Sequence, residues 1–225
     1  METIRRKFSG SPEFARIAPM AIFAGLTSLQ GMAGHQTAYW LYAAKTLLGV
    51  WLIRLMWPNV LEMRWKLTWE AVLVGVVIFA AWVGLDGHYP RLSKVDDASG
   101  WNPLKTFAGQ PGLGWFFCLF RIAGSSIVVP PIEEVFYRSF LYRYLVKVDF
   151  NAMPLSRFHL LSFLGTSTIF GLMHPDRWVA GIVCGLGYQW LVIRKGRLGD
   201  SMVAHGITNC LLGCYVVWKG AWSFW

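Results

Sequence analysis

The sequence predicts an all-α protein, a polytopic transmembrane bundle of about seven or eight helices in a single domain. Three observations carry that reading. Hydrophobic residues fill 55% of the 225 positions and the mean hydropathy is +0.43. Charged residues make up only 15%, against roughly 25% in soluble domains. The apolar residues also gather into runs near the length that spans a bilayer, about 20 residues. A net charge of +9 would suit nucleic acid if it covered one face. Here Lys and Arg instead cluster between apolar runs, as in cytoplasmic loops of membrane proteins. The expected partner is the lipid bilayer and its anionic headgroups, with no nucleic acid.

The elements follow in order. Residues 1–13 form a polar, basic tail. Apolar runs cover about 14–33, 39–57 and 69–85. Lys45 and Arg54 lie in the second. A polar connection, 86–112, carries Gly, Pro, Asp96 and Asp97. The fourth run, about 113–130, contains Arg121. An amphipathic segment, 132–149, follows it. Runs five, six and seven cover about 158–174, 178–193 and 198–218. No cleavable signal peptide is evident after Arg5-Arg6-Lys7, so run one is expected to stay as the first membrane helix. No repeat or low-complexity stretch is present. Trp40, Trp57, Trp69, Trp178 and Trp218 lie near run ends, as an aromatic belt requires. Gly181 and Gly185 should let another helix approach run six.

Arg5, Arg6, Lys7 and Arg16 flank run one, Arg64 and Lys66 follow run two, and Arg194, Lys195 and Arg197 precede run seven. A cytoplasmic N-terminus satisfies all of them if segment 132–149 does not itself cross. The segment then lies at the interface or extends run four as one long bent helix. If it crosses, the basic loop before run seven falls outside. The expected location is a multi-pass position in the membrane with a cytoplasmic N-terminus. Cys118, Cys184, Cys210 and Cys214 all fall in apolar stretches. They read as buried small hydrophobes, although Cys210 and Cys214, one turn apart, could also suit a metal.

Two adjacent carboxylates stand apart from the other acids. Glu133 and Glu134 adjoin an apolar run, in Pro130-Pro131-Ile132-Glu133-Glu134-Val135-Phe136-Tyr137-Arg138. The remaining acids read as tail, loop or helix-end residues. A carboxylate at membrane depth costs several kcal/mol, roughly, unless it is paired or faces water. Pro130 and Pro131 suit a helix start, where the missing N–H is harmless. Adjacent helical residues point about 100° apart, so the two glutamates should have different partners. Arg138, four residues beyond Glu134, is placed to hold it, leaving Glu133 freer for chemistry. An interfacial helix start with an ordinary ion pair would show the same residues.

Of five histidines, His35, His88 and His159 fall in loops or at run ends. His174 ends run five, and His205 lies within run seven, four residues before Asn209. His205 and Asn209 therefore share a helix face and could donate two hydrogen bonds to one oxygen. Glu with His can activate water. Glu133 with His174 and His205 could instead bind zinc, although the spacing is not that of an HExxH helix. The residues do not choose between these schemes. A packed core histidine is the ordinary alternative for each.

The ordered set of Glu133, Glu134 and Arg138, then Phe170 and His174, then His205 and Asn209, resembles the CAAX-protease and bacteriocin-processing family of intramembrane proteases, also called Abi. The resemblance covers about residues 113–218, with 1–112 expected as N-terminal helices completing the bundle. It extends more loosely to a bacterial CAAX-protease-related subgroup linked to exosortase systems, which implies a bacterial inner membrane. It implies an endopeptidase cutting a membrane-embedded or membrane-proximal peptide, in a cavity open toward the cytoplasmic side. Two catalytic schemes come with it. In one the enzyme is a metalloprotease. In the other Glu133 and His174 activate water, His205 and Asn209 form the oxyanion site, and Glu134 and Arg138 support Glu133. Bringing the four groups to one depth is expected to need a tilted or re-entrant run six near Pro175 and Gly185–Gly187, with run seven starting near Gly199. A non-catalytic scaffold or immunity protein of the same fold is the alternative. A small transporter or proton relay using Arg121, Lys45 and Arg54 is the third reading.

Overall fold

The computed structural model describes residues 2–93 and 101–225; Asp96 and Asp97 lie outside the described residues. Those residues form helices and connections with no strand. We number the helices α1 (Glu2–Gly10), α2 (Pro12–Gly31), α3 (His35–Met56), α4 (Trp69–Gly84), α5 (Pro103–Thr106), α6 (Pro111–Tyr144), α7 (Leu160–Leu172), α8 (Trp178–Lys195) and α9 (Gly199–Lys219). Two of them, α6 and α9, are long and apolar enough to cross a membrane, while α4 and α7 are shorter apolar helices. Local chemistry sets the starts. Ser11 caps α2 by accepting from Phe14 N–H, Thr68 caps α4 by accepting from Ala71 N–H, and His159 Nδ1 caps α7 by accepting from Ser162 N–H. Each satisfies a donor that a first helical turn otherwise leaves unpaired.

The seven apolar runs correspond to helices within a few residues at each end, with one merger. Run four and the glutamate segment are a single helix, α6, about 51 Å long at 1.5 Å per residue. Pro130 and Pro131 therefore do not start a helix; they stand in the middle of one. The backbone accommodates them by widening into a π-helical stretch over Gly124–Val128 just before the prolines. A second π-helical stretch, Val135–Leu141, follows the glutamates. Such wide turns recur at functional sites in long helices.

The connections mark two ends of the bundle. At one end Phe8, Val60, Met63, Leu198 and Met202 share a core cluster, and Lys195 pairs with Glu70 at 2.6 Å. The N-terminal helix, the 57–68 connection and the turn before α9 thus lie together. At the other end Leu92 N–H bonds Pro175 O at 2.8 Å and Trp178 Nε1 bonds Pro90 O at 2.9 Å. Glu62 ties the first end to α2 and α6. It accepts from Arg16 at 2.7 Å, from Arg143 at 3.1 Å and from the Ser139 hydroxyl. Burial pushes the Glu62 carboxyl up, but the Arg16 charge and the Ser139 hydrogen bond more than offset it and hold it below the usual glutamate value.

Helix α8 is one regular helix of 18 residues. The expected re-entrant distortion near Gly185–Gly187 is absent from it, while α9 begins at Gly199, where run seven was expected to start. Gly181 and Gly185 instead let α7 come close: an added Cβ would sit 2.8 Å from Gly171 Cα and 2.7 Å from Ser167 Cα. This is the small-residue contact that the spacing predicted. Cys118 and Cys184 are buried, as expected, but Cys210 and Cys214 are exposed on α9. Of the aromatic-belt residues, Trp40, Trp57, Trp69 and Trp218 are exposed.

Candidate active site

Glu133, Glu134 and Arg138 come from the central part of α6, His174 from the turn after α7, and His205 and Asn209 from α9. Glu134 is fully buried and meets Arg138 Nε at 3.4 Å, so the i,i+4 pair expected from spacing is present. The Arg138 guanidinium lies 4.7 Å from the Phe170 ring centroid, which adds a cation–π contact to a cation with little room for other partners. The other Glu134 oxygen lies 3.1 Å from His205 Nδ1. Glu134 thus sits between Arg138 and His205.

His205 is held on every side. Tyr188 stacks on it at 4.9 Å and 18° between planes, and Phe170 meets it edge-on at 6.1 Å. With an ionised Glu134 accepting at Nδ1, that nitrogen carries the proton and Nε2 is left to face the other glutamate. His205 Nε2 stands 4.0 Å from Glu133 Oε2, and that oxygen has no hydrogen-bond partner in the protein. Adjacent glutamates therefore differ in role by position. Glu134 is locked in the wall, whereas Glu133 lines a cavity of about 190 Å³.

Asn209 is engaged in a way that spacing did not disclose. Val129 N–H bonds Gly124 O in the i→i+5 register of the first π stretch. The next donor in that register would be Pro130, which has no N–H. Ser125 O is thereby released, and Asn209 Nδ2 donates to it at 2.8 Å. Ser126 O, next in line, faces Gly206, where an added Cβ would come within 2.7 Å. The His205-Gly206-x-x-Asn209 face of α9 thus docks on the carbonyls that the proline pair frees, and the docking aims His205 at the glutamates.

His174 lines the same cavity as Glu133, His205 and Asn209. Its Nδ1 lies 2.9 Å from Phe170 O and its ring packs at 5.5 Å against Trp82. Phe170, at 5.1 Å from His174, separates the two histidines by ring contacts with both. Glu133, His174 and His205 do not gather as a ligand triad, and among the described residues no three His, Cys, Asp or Glu side chains are grouped to hold a metal ion. Two residues of the site carried no sequence signal. Tyr188 stacks on His205 and donates to Thr208 at 2.8 Å, and Thr208 donates to Gly75 O at 2.9 Å. An aromatic residue and a threonine in apolar helices look like ordinary core.

The cavity runs from Glu133 toward Trp82, Arg121, Phe224 and Trp225. It thus extends toward the end of the bundle opposite the N-terminal helix.

Residues 114–211 match a protein-family model described as type II CAAX prenyl endopeptidase Rce1-like. The likeness covers a little under half of the chain. The match spans most of α6 and the first thirteen residues of α9, and so includes Glu133, Glu134, Arg138, His174, His205 and Asn209. The Rce1-like family is one of membrane-embedded endopeptidases. No curated protein and no solved structure matches the chain.

Proposed function

We propose that this protein is an intramembrane endopeptidase that hydrolyses a peptide bond of a membrane-embedded or membrane-proximal protein with Glu133 as general base. The observation that carries the reading is the contrast between the two glutamates. Glu134 is consumed by Arg138 and His205, whereas Glu133 faces the cavity with an unpartnered oxygen opposite His205 Nε2. Glu133 accepts a proton from water as its oxygen attacks the scissile carbonyl carbon, and the carbonyl π electrons move onto oxygen. In this scheme His205 holds a proton on each ring nitrogen, donating from Nδ1 to Glu134 and from Nε2 to that oxyanion. Asn209, which lines the same cavity, spends one N–H on Ser125 O and in this scheme offers the other to the oxyanion. The C–N bond then breaks, and the proton held by Glu133 passes to the leaving amine. His174, anchored by Nδ1 to Phe170 O, presents Nε2 as a second proton acceptor beside the water path.

The charge pattern sets the orientation in this reading. Arg5, Arg6, Lys7, Arg64, Lys66 and Arg194–Arg197 all lie at the end opposite the one that the cavity reaches. With that end in the cytoplasm, the cavity opens outward.

The test compares membrane-protein N-termini by mass spectrometry in cells carrying wild type or Glu133→Gln at matched abundance. New N-termini found only with the wild type establish the protease and name its substrate. Identical profiles, with the cellular phenotype kept by the variant, assign the polar cluster to a scaffold.

A further inference from the structure

A second cavity, about 520 Å³, adjoins the first and shares Arg121 and Trp225 with it. Two cations, Lys45 from α3 and Arg121 from α6, line it, and none of its lining side chains is a carboxylate. Lys45 Nζ donates to Thr27 Oγ1 at 3.0 Å and lies 4.9 Å from the Phe23 ring. Arg121 is held by faces rather than by acceptors. Its guanidinium stands 4.4 Å from Trp101, 5.2 Å from Tyr42 and 5.3 Å from Trp225. Among the described residues Arg121 donates no hydrogen bond and neither cation forms an ion pair. Aromatic faces fix the plane of a guanidinium while leaving its N–H edge open, and that edge matches a carboxylate in two parallel bonds. Glu133 acts on Lys45 only through space, so two neighbouring cations without a direct ion pair stay costly in an apolar bundle, and a bound anion lowers that cost.

We propose that Arg121 and Lys45 form a recognition subsite for a carboxylate of the peptide substrate, beside the hydrolytic cavity. The subsite deepens the endopeptidase reading and rests on it for the identity of the ligand. Arg121 and Glu133 are twelve residues apart on α6, roughly 18 Å along the helix. An extended peptide covers that span in about five residues. The carboxylate is therefore either the peptide's C-terminus or an acidic side chain within about five residues of the cleaved bond.

The experiment measures fluorescence anisotropy of a labelled apolar hexapeptide with full-length Glu133→Gln protein in phosphatidylcholine nanodiscs. The peptide is used as the free acid, as the C-terminal amide, and as the amide with one internal Glu. The free acid is expected to bind at least tenfold tighter than the amide. That preference should vanish with Arg121→Gln and weaken with Lys45→Gln, while Arg121→Lys, which keeps the charge without the fork, retains part of it and guards against misfolding. If the internal Glu restores binding to the amide, the carboxylate can come from a side chain; if not, the C-terminus is required. Equal binding of all three peptides overturns the proposal. So does loss of the preference when phosphatidylglycerol is added, which would give the cations to a lipid phosphate. A carboxylate preference in a protein that yields no new N-termini in cells would keep the subsite and reject the endopeptidase reading.

Discussion

At the scale of single residues, neighbours in sequence should respond in opposite ways to the same change. Glu133→Gln removes a cavity-facing base and leaves no buried partner stranded, so the melting temperature in detergent should stay near wild type while cleavage is lost. Glu134→Gln removes the charge that balances the fully buried Arg138 and leaves one oxygen where Arg138 and His205 Nδ1 each have their own. Breaking one side of a buried pair costs about 3–5 kcal/mol, so this variant should melt well below wild type. Equal thermal behaviour of the two would refute the division of labour argued above. Asn209→Asp gives a third contrast. It replaces the donor to Ser125 O with an acceptor and sets two oxygens against each other. A loss of roughly 1–3 kcal/mol is expected, together with lost cleavage. The Arg138–Glu134 pair was legible in the sequence because i,i+4 spacing is a local rule. The Asn209 bond was not legible, because its acceptor is a backbone carbonyl 84 residues away that becomes free only once the proline register is known.

At the scale of elements, α6 decides how the site is built. Sequence reading placed every apolar run and offered the glutamate segment as an extension of run four, as found, but it also read Pro130 as a helix start, since proline favours first turns. The π-helical stretch over Gly124–Val128 removes the need for a break, and it is a register change that composition does not report. Pro130→Ala would return an N–H to the donor position facing Ser125 O, in competition with Asn209. Activity should fall although the helix itself gains a bond, and Asn209→Ala in that background should cost less stability than in wild type. A double-mutant cycle on melting measures this coupling directly. Glu62 joins α2, the 57–68 connection and the last turns of α6, just beyond the second π-helical stretch. Its folded-state proton affinity is lowered by Arg16 and Ser139 against the effect of burial. The stabilisation is therefore complete above the ordinary glutamate value, about 4.3, and is lost as pH falls through the lower folded-state value. Melting measured from pH 7 down to pH 3 should show this acid loss in wild type and a flatter dependence in Glu62→Gln, which starts from a lower melting temperature.

At the scale of the whole molecule, the direction of the cavity decides which proteins can be substrates. In the proposed orientation the cavity and the basic connections point to opposite ends of one bundle: α4 and α7 run toward the end that the cavity reaches, while α6 and α8 run away from it. Charge sets the rest, because Lys and Arg near span ends stay in the cytoplasm. Gly10 ends the N-terminal helix at one end, and Gly109 precedes α6 at the other. Both are exposed, with open space where a side chain would stand. Cysteines introduced singly at these positions, in a background with Cys210 and Cys214 changed to Ser, can be probed with a membrane-impermeant maleimide. Gly109→Cys should label in intact cells, and Gly10→Cys only after lysis. The reverse pattern would place the end that the cavity reaches in the cytoplasm and make cytoplasmic chain ends the substrates. The expected pattern restricts substrates to segments reached from outside the membrane, which is also the side on which a carboxylate would have to approach Arg121.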